Sequence, residues 1–130
     1  YFNPEDALLT VRSMEAEISA IEEGIKLYQA GNYEEAVKAF SSKPHDLLGK
    51  LYSGFSLMHL EEFDQARVYF NEIIEDNDNL LLDQAEWHLG LCLMMSGEED
   101  EAAVVFEKIS KGNTVYNKKA LELLTKMGKI

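Results

Sequence analysis

Apolar side chains recur at alternating intervals of four and three residues along the first part of the chain. Seven positions make up this stripe: Ala7, Val11, Met14, Ile18, Ile21, Ile25 and Tyr28. Such spacing places them on one face of an α-helix. Asn3 and Pro4 precede the stripe, and a capping residue followed by proline is typical of a helix start. The pattern predicts one helix over residues 4–29, with Thr10 and Ser13 as the point at which it would break.

Six shorter amphipathic segments follow, separated by polar or helix-breaking residues. They predict helices over residues 33–41, 45–59, 63–75, 80–95, 99–110 and 115–127. Asn32 and Asn79 are expected to cap the helices that follow them, because an asparagine side chain accepts hydrogen bonds from the free N–H groups of a first turn. Pro44 is expected to open another helix. The run 112–114, Gly-Asn-Thr, favours a turn before the last helix. The chain is therefore predicted to be all-α.

A spacing of small and aromatic residues recurs three times within these helices. Each copy has a glycine in its first helix, an alanine twelve residues later, and a phenylalanine four residues after that. The three sets are Gly24, Ala36 and Phe40; Gly54, Ala66 and Phe70; and Gly90, Ala102 and Phe106. Small residues let two helices approach closely, and we expect each phenylalanine to fill the space toward the next hairpin. The phenylalanines are 30 and then 36 residues apart. A constant register joined by variable loops indicates stacked helical hairpins.

This spacing resembles the tetratricopeptide repeat (TPR), whose pattern runs L-G-x-x-Y and then A-x-x-x-F. The third copy reads Leu89-Gly90-Leu91-Cys92-Leu93, and Trp87 lies one place from the family's usual tryptophan. The resemblance implies a TPR-like α-solenoid of three antiparallel helix pairs with an N-terminal helix extension and a C-terminal capping helix. It divides a single domain, residues 1–130, into the extension (1–15), repeat 1 (16–43), repeat 2 (44–79), repeat 3 (80–111) and the capping helix (112–130).

Charge is unevenly distributed along the chain, whose net charge is −12. Residues 1–107 carry 23 acidic and six basic side chains, whereas residues 108–130 carry six lysines and one glutamate. The acidic body disfavours nucleic acid as a partner, because phosphate binding needs a basic surface. Many acids fall in the first turns of predicted helices, where the helix dipole stabilises them. The basic segment is expected to be a helix end, with an acidic partner or lipid head groups as the alternative.

Few features of the sequence bear on the cellular compartment of the protein. No apolar run approaches the roughly 18 residues of a membrane span, and no signal peptide is recognisable, so we expect a soluble domain without direct membrane contact. The single cysteine, Cys92, excludes an internal disulfide and does not specify the redox environment. Because the chain begins with Tyr1 rather than methionine, a fragment of a longer, membrane-anchored protein is one interpretation.

The resemblance also implies which residues face the concave groove that the first helices of TPR arrays line. The predicted partner-binding residues are Tyr52, Phe55, His59, Trp87, His88, Leu91, Met94 and Met95. Some TPR domains grip a C-terminal carboxylate with lysine, arginine and asparagine at such positions. Those residue types are absent here, which disfavours a carboxylate clamp. Trp87, Tyr52 and Phe55 are the expected anchors, with the flexible methionines adapting around them.

A metal or catalytic site is the competing hypothesis. His88 and Cys92 lie four residues apart on one predicted helix and would share a metal ion with His59, but no fourth ligand is evident. The sequence has no nucleophile motif, glycine-rich phosphate loop or H-E-x-x-H pattern. We therefore expect a non-enzymatic chain without a metal or other cofactor.

The sequence predicts a protein-interaction or scaffolding module that binds a peptide or helix in an apolar groove, since large exposed apolar surfaces mark interaction sites. The alternative is a structural or self-associating domain. In that case the groove would be filled by the segment before Met14, by the last helix, or by a second copy of the chain. The hypotheses differ in whether Trp87 and Tyr52 are accessible.

Overall fold

The computed structural model describes residues 4–42, 46–76 and 80–129, with side chains for all of these except residues 4–14, 16 and 17. Within these ranges the chain is helical and contains no strand, which confirms the predicted all-α fold class. The helices are α1 (Pro4–Gln29), α2 (Tyr33–Ser41), α3 (Leu47–His59), α4 (Phe63–Glu75), α5 (Leu82–Met95), α6 (Glu99–Lys111) and α7 (Asn117–Lys126). In the part of the chain described, no helix combines the length and the apolar character that crossing a membrane requires.

The helix boundaries agree closely with those predicted from the sequence. α1 runs without a break through Thr10 and Ser13. Asn32 occupies the N-cap position of α2, although its side chain makes no capping hydrogen bond. α3 is capped instead by Asp46, whose Oδ1 accepts a hydrogen bond from the Gly49 N–H at 3.1 Å. Asn3, Pro44 and Asn79 lie outside the described residues. The starts predicted at Pro44 and Asn79 are nevertheless wrong by two residues, because α3 begins at Leu47 after its N-cap Asp46, and α5 begins at Leu82 after its N-cap Leu81.

The helices form three stacked hairpins. α1 packs on α2, α3 on α4 and α5 on α6, and the hairpins are joined through α2 with α3 and α4 with α5. The first helices also contact one another, α1 with α3 and α3 with α5, so they lie along one face of the stack. Two clusters of buried side chains fill the interior, one around Phe70 and one around Phe106. This arrangement brings side chains from three separate repeats onto a common surface.

The repeated glycines lie directly under the repeated phenylalanine rings. A β-carbon added at Gly54 would come within 2.5 Å of Cε1 of Phe70, which is fully buried. The other two pairs, Gly24 with Phe40 and Gly90 with Phe106, repeat this geometry. Real β-carbons do not approach other carbons so closely, because interiors are packed to van der Waals contact. Each glycine is therefore required by the ring of its own hairpin.

The same rings also reach the next hairpin, as predicted. The ring of Phe40 stacks on Tyr52 of α3 with centroids 5.8 Å apart. The ring of Phe70 lies 6.0 Å from that of His88 in α5. The phenylalanine thus closes one hairpin and joins it to the following one.

Each hairpin turns through one residue in the left-handed conformation: Gly31 (φ 81°), Glu61 (φ 59°) or Gly97 (φ 87°). In the second hairpin the N–H of Glu61 donates to the Met58 carbonyl at 3.0 Å, and the next N–H donates to the Leu57 carbonyl at 2.9 Å. This pair of bonds forms a Schellman motif, which satisfies the free carbonyls at the end of a helix. Glycine adopts the left-handed conformation without a steric penalty, whereas glutamate does not.

Glu61→Gly is therefore expected to raise the free energy of unfolding by about 1 kcal/mol, because relief of the left-handed strain outweighs the greater freedom of glycine in the unfolded chain. Urea denaturation followed by circular dichroism measures the change. The reverse substitution in the first hairpin, Gly31→Glu, should lower the stability by a similar amount. Equal stability of all three proteins would show that the loop carries no strain.

The last helix continues the stack. α7 packs on α6 as α5 packs on α4. Ala120 is fully buried and follows Phe106 by the same interval of residues that separates Phe40 from Gly54. α7 thus takes the place of the first helix of a further hairpin. Alanine is accommodated there because the described part of the chain brings no further phenylalanine over it. As predicted, α7 covers the end of the third repeat.

Candidate functional site

The first helices of the three hairpins enclose a surface cavity of about 280 Å³, which we call the groove cavity. Its lining side chains are Tyr28 from α1; Phe55, Met58 and His59 from α3; and His88 and Met95 from α5. Aromatic rings, imidazoles and thioethers make up its wall, and no carboxylate or lysine of the described residues lines it. Ligand sites are typically concave and largely apolar in this way.

A network of rings fixes one end of the groove cavity. Tyr33 from α2 stacks on His59, with the ring planes 2° apart and the centroids 4.3 Å apart. Tyr28 meets both rings edge-on, and its hydroxyl forms a hydrogen bond of 3.2 Å with Nε2 of His59. Burial, followed by the neighbouring Tyr33 and Tyr52, raises the pKa of Tyr28. The phenol is therefore neutral at physiological pH, and the rings form a preorganised wall.

His88 lines the groove cavity in its neutral form. Its ring lies 4.5 Å from that of Phe55. Its Nδ1 is 2.7 Å from the Gln84 carbonyl oxygen, which can only accept, so Nδ1 carries the proton and donates it. Burial lowers the pKa of His88, and the hydrogen bond to Gln84 opposes this only in part. The ring therefore contributes an apolar face and one acceptor nitrogen, Nε2, at neutral pH.

Below about pH 6.5, the ordinary pKa of histidine, the unfolded chain binds a proton that the folded chain resists at His88. The stabilising effect of neutral His88 is thus fully present above that pH and is lost as the pH falls toward the depressed pKa of the folded state. His88→Leu should flatten the fall in unfolding free energy between about pH 7.5 and 5.5. Urea titrations of both proteins across this range measure it. All other ionisable groups are common to both proteins, so only the difference reports on His88. An equal fall in the two proteins would contradict this assignment.

The structure brings four of the eight predicted partner-binding residues together in the groove cavity: Phe55, His59, His88 and Met95. Tyr52 lies beside it, with its ring edge-on to Tyr28 at 5.3 Å and to Phe55 at 5.6 Å. Tyr28 and Met58 complete its lining, and Tyr33 supports it through its stack on His59. Tyr28 and Met58 each follow the glycine of their repeat by four residues, a register that identifies them. No comparable signal marks Tyr33, which comes from a second helix.

The other three predicted residues, Trp87, Leu91 and Met94, pack in the cluster around Phe106 beneath α6 and α7. Trp87 is only 8% exposed. Its ring stacks on Tyr116, 9° from parallel with centroids 5.3 Å apart, and lies 5.4 Å from the ring of Phe106. The structure therefore places Trp87 in the interior, not on the groove surface where its repeat position implied an anchor.

Cys92 does not lie in a metal site with His59 and His88 in the described structure. Cys92 is fully buried, and its thiol donates a hydrogen bond to the Phe63 carbonyl at 3.3 Å. Burial raises the pKa of this thiol to about 11, so it is protonated at physiological pH and lacks the thiolate that nucleophilic attack requires. Across the described ranges, no three or more histidine, cysteine, aspartate or glutamate side chains are grouped so as to hold a metal ion.

Comparison with known proteins identifies the fold. No protein-family model and no curated protein sequence matches the chain. Among solved structures it is similar to one described as the first TPR of Spaghetti (RPAP3) bound to the HSP90 peptide SRMEEVD, with a TM-score of 0.74 and 16% sequence identity. The likeness covers 89% of this chain and 95% of that one. The chain thus has the TPR-like α-solenoid fold that its repeat spacing predicts.

Proposed function

We propose that this chain is a non-catalytic protein-interaction module that binds a peptide or helix of another protein in the groove cavity. The observation that carries the proposal is the position of the cavity. An apolar, aromatic concavity lies between the first helices of three repeats, and Met95 at its edge is 56% exposed. Exposed apolar concavities of this kind usually mark sites of association.

The positions of the flanking helices support an open groove. α7 packs on α6 and covers the cluster around Trp87, so its apolar face is used there. α1 continues as one helix from Pro4 to Gln29, without the turn that would fold its first part back over the groove. These positions favour an open groove over one filled by α7 or by the first part of α1.

The chemistry of the wall supports apolar anchoring. Phe55, Tyr28 and His88 offer ring faces and edges that are already packed in place, which lowers the entropy lost on binding. Met58 and Met95 add polarizable, adaptable surface. The RPAP3 structure holds a peptide that ends in two glutamates, a valine and an aspartate. The groove cavity of this chain has no lysine or arginine in its described wall to pair with such a peptide.

Selection of a phage-displayed library of random peptides on the immobilised domain tests the proposal. Enriched peptides, measured by fluorescence anisotropy, should bind the wild-type domain and lose about tenfold in affinity with Phe55→Ala, because anchors of this kind dominate an interface. Met95→Ala should also weaken binding while leaving the fold intact. The matched control is Val68→Ala on α4, whose side chain is 55% exposed and does not line the groove cavity. Failure to enrich any peptide, or equal binding by all variants, would refute the proposal.

A further inference from the structure

A second, polar cavity adjoins the groove cavity. It has a volume of about 270 Å³ and is lined by residues 31–35, at the first hairpin turn and the start of α2, and by Leu60. Its polar side chains include Asn32, Glu34 and Glu35, and its wall also contains the ring of Tyr33. Tyr33 stacks on His59, which borders the groove cavity. One pair of stacked rings therefore separates an apolar space from an anionic one.

The acids beside this ring pair carry no counter-ion from the described chain. Glu34 and Glu35 line the polar cavity, and Glu61 follows its lining residue Leu60 in the chain. All three are exposed, and within the described ranges none of them forms an ion pair. Their negative charge is therefore uncompensated at this edge of the groove. The helix dipole at the start of α2 stabilises the two acids in its first turn but does not cancel their field.

The start of α6 provides a contrast within the same protein. There Arg67 lies 2.8 Å from Glu98 and 3.9 Å from Glu101, and Lys129 lies 2.7 Å from Asp100. Three acids at the third hairpin are thus paired with cations of the same chain, whereas those beside the groove cavity are not. A basic partner would neutralise the acids of the first hairpin, and the net charge of −12 adds to its attraction.

We propose that the segment bound in the groove is basic and amphipathic. This inference rests on the proposed function. An aromatic or aliphatic side chain of the partner enters the groove cavity against Phe55 and Met95. A neighbouring lysine or arginine reaches Glu34 and Glu35 past the Tyr33 ring, whose face attracts cations. The same charges repel an acidic segment, so the specificity is opposite in sign to that needed for a peptide ending in carboxylates.

The peptide-library selection under the proposed function tests directly whether the bound segment is basic and amphipathic. Enriched peptides should contain lysine or arginine close to an aromatic or aliphatic residue. Their affinity should fall as salt is raised from about 50 mM to 0.5 M, because exposed ion pairs are screened over that range. Enrichment of neutral or acidic peptides, or binding independent of salt, would overturn the inference while leaving the proposed function intact. An absence of any enriched peptide would refute both.

A charge-matched pair of variants completes the test. The variant with Glu34→Gln, Glu35→Gln and Glu61→Gln should bind the enriched peptides about tenfold more weakly, as expected from the loss of several exposed ion pairs. The control with Glu75→Gln, Asp76→Asn and Glu122→Gln removes the same charge from positions outside both cavities and should change affinity less than about twofold. Equal weakening by both variants would show that affinity depends only on the net charge of the protein, and would overturn the inference. Light scattering that detects a dimer unable to bind peptides would also overturn the inference, because a second copy of the chain would then occupy the groove.

Discussion

Trp87→Ala is expected to lower the free energy of unfolding by about 3–5 kcal/mol, the usual range for removing a buried aromatic side chain. The ring of Trp87 stacks on Tyr116 and packs against Phe106, so its loss opens a cavity where α7 joins the third repeat. Domains of this size have about 5–15 kcal/mol of stability in total. Urea denaturation followed by circular dichroism at 222 nm measures the change without relying on the indole.

Met95→Ala is the matched control for that experiment. Met95 lies on the same helix, α5, but is 56% exposed, so its truncation should change stability by less than about 0.5 kcal/mol. In the wild-type protein the indole fluorescence should be blue-shifted, resist acrylamide quenching and stay so on dilution. An easily quenched indole, or a small loss of stability in Trp87→Ala, would show that Trp87 faces the groove after all. Protection lost on dilution would point to self-association.

The helices and their order are predictable from the sequence because local patterns determine them. The alternating apolar stripe defines α1, and the glycine–alanine–phenylalanine register locates the hairpins. The loops are less predictable. Asn32 is a favourable capping residue, yet its side chain makes no capping bond, and Asp46 caps α3 in the second repeat. A cap depends on the path of the chain into the helix, which composition alone does not specify.

The groove was predicted only in part, for a physical reason. Repeat position decides which way a side chain points, and Phe55, His59 and His88 accordingly line the groove cavity. It does not decide whether another element covers that side chain. Trp87 has a groove position in its repeat, but α7 packs there as a further first helix would, and Tyr116 covers the ring. Tyr33 belongs to a second helix and is joined to the groove through its stack on His59. This tertiary contact cannot be predicted from the spacing of residues in the sequence.

Gly54→Ala is expected to lower the free energy of unfolding by about 2 kcal/mol, although alanine is the better helix former. The added β-carbon would lie 2.5 Å from Cε1 of Phe70, whose buried ring has no room to move aside. Overpacking of this kind costs about 1–3 kcal/mol, and the gain in helix propensity offsets at most about 1 kcal/mol of it. The change would be measured by urea denaturation, with the slope checked to confirm two-state unfolding.

A second glycine in α3 provides the control that separates the steric clash of the added β-carbon from the gain in helix propensity. Gly49 in α3 is also buried, but a β-carbon there would meet its nearest neighbours at 3.7 Å, an ordinary contact. Gly49→Ala should therefore be neutral or stabilising by up to about 1 kcal/mol. Combining Gly54→Ala with Phe70→Leu removes the ring atoms that the new methyl group would strike, so the penalty of Gly54→Ala should shrink in that background. A coupling energy of about 1 kcal/mol or more between the two sites is expected, and additive effects would contradict the role of the ring in requiring glycine. Since Gly24 and Gly90 face Phe40 and Phe106 in the same way, the result would extend to the contact that defines every repeat of this chain.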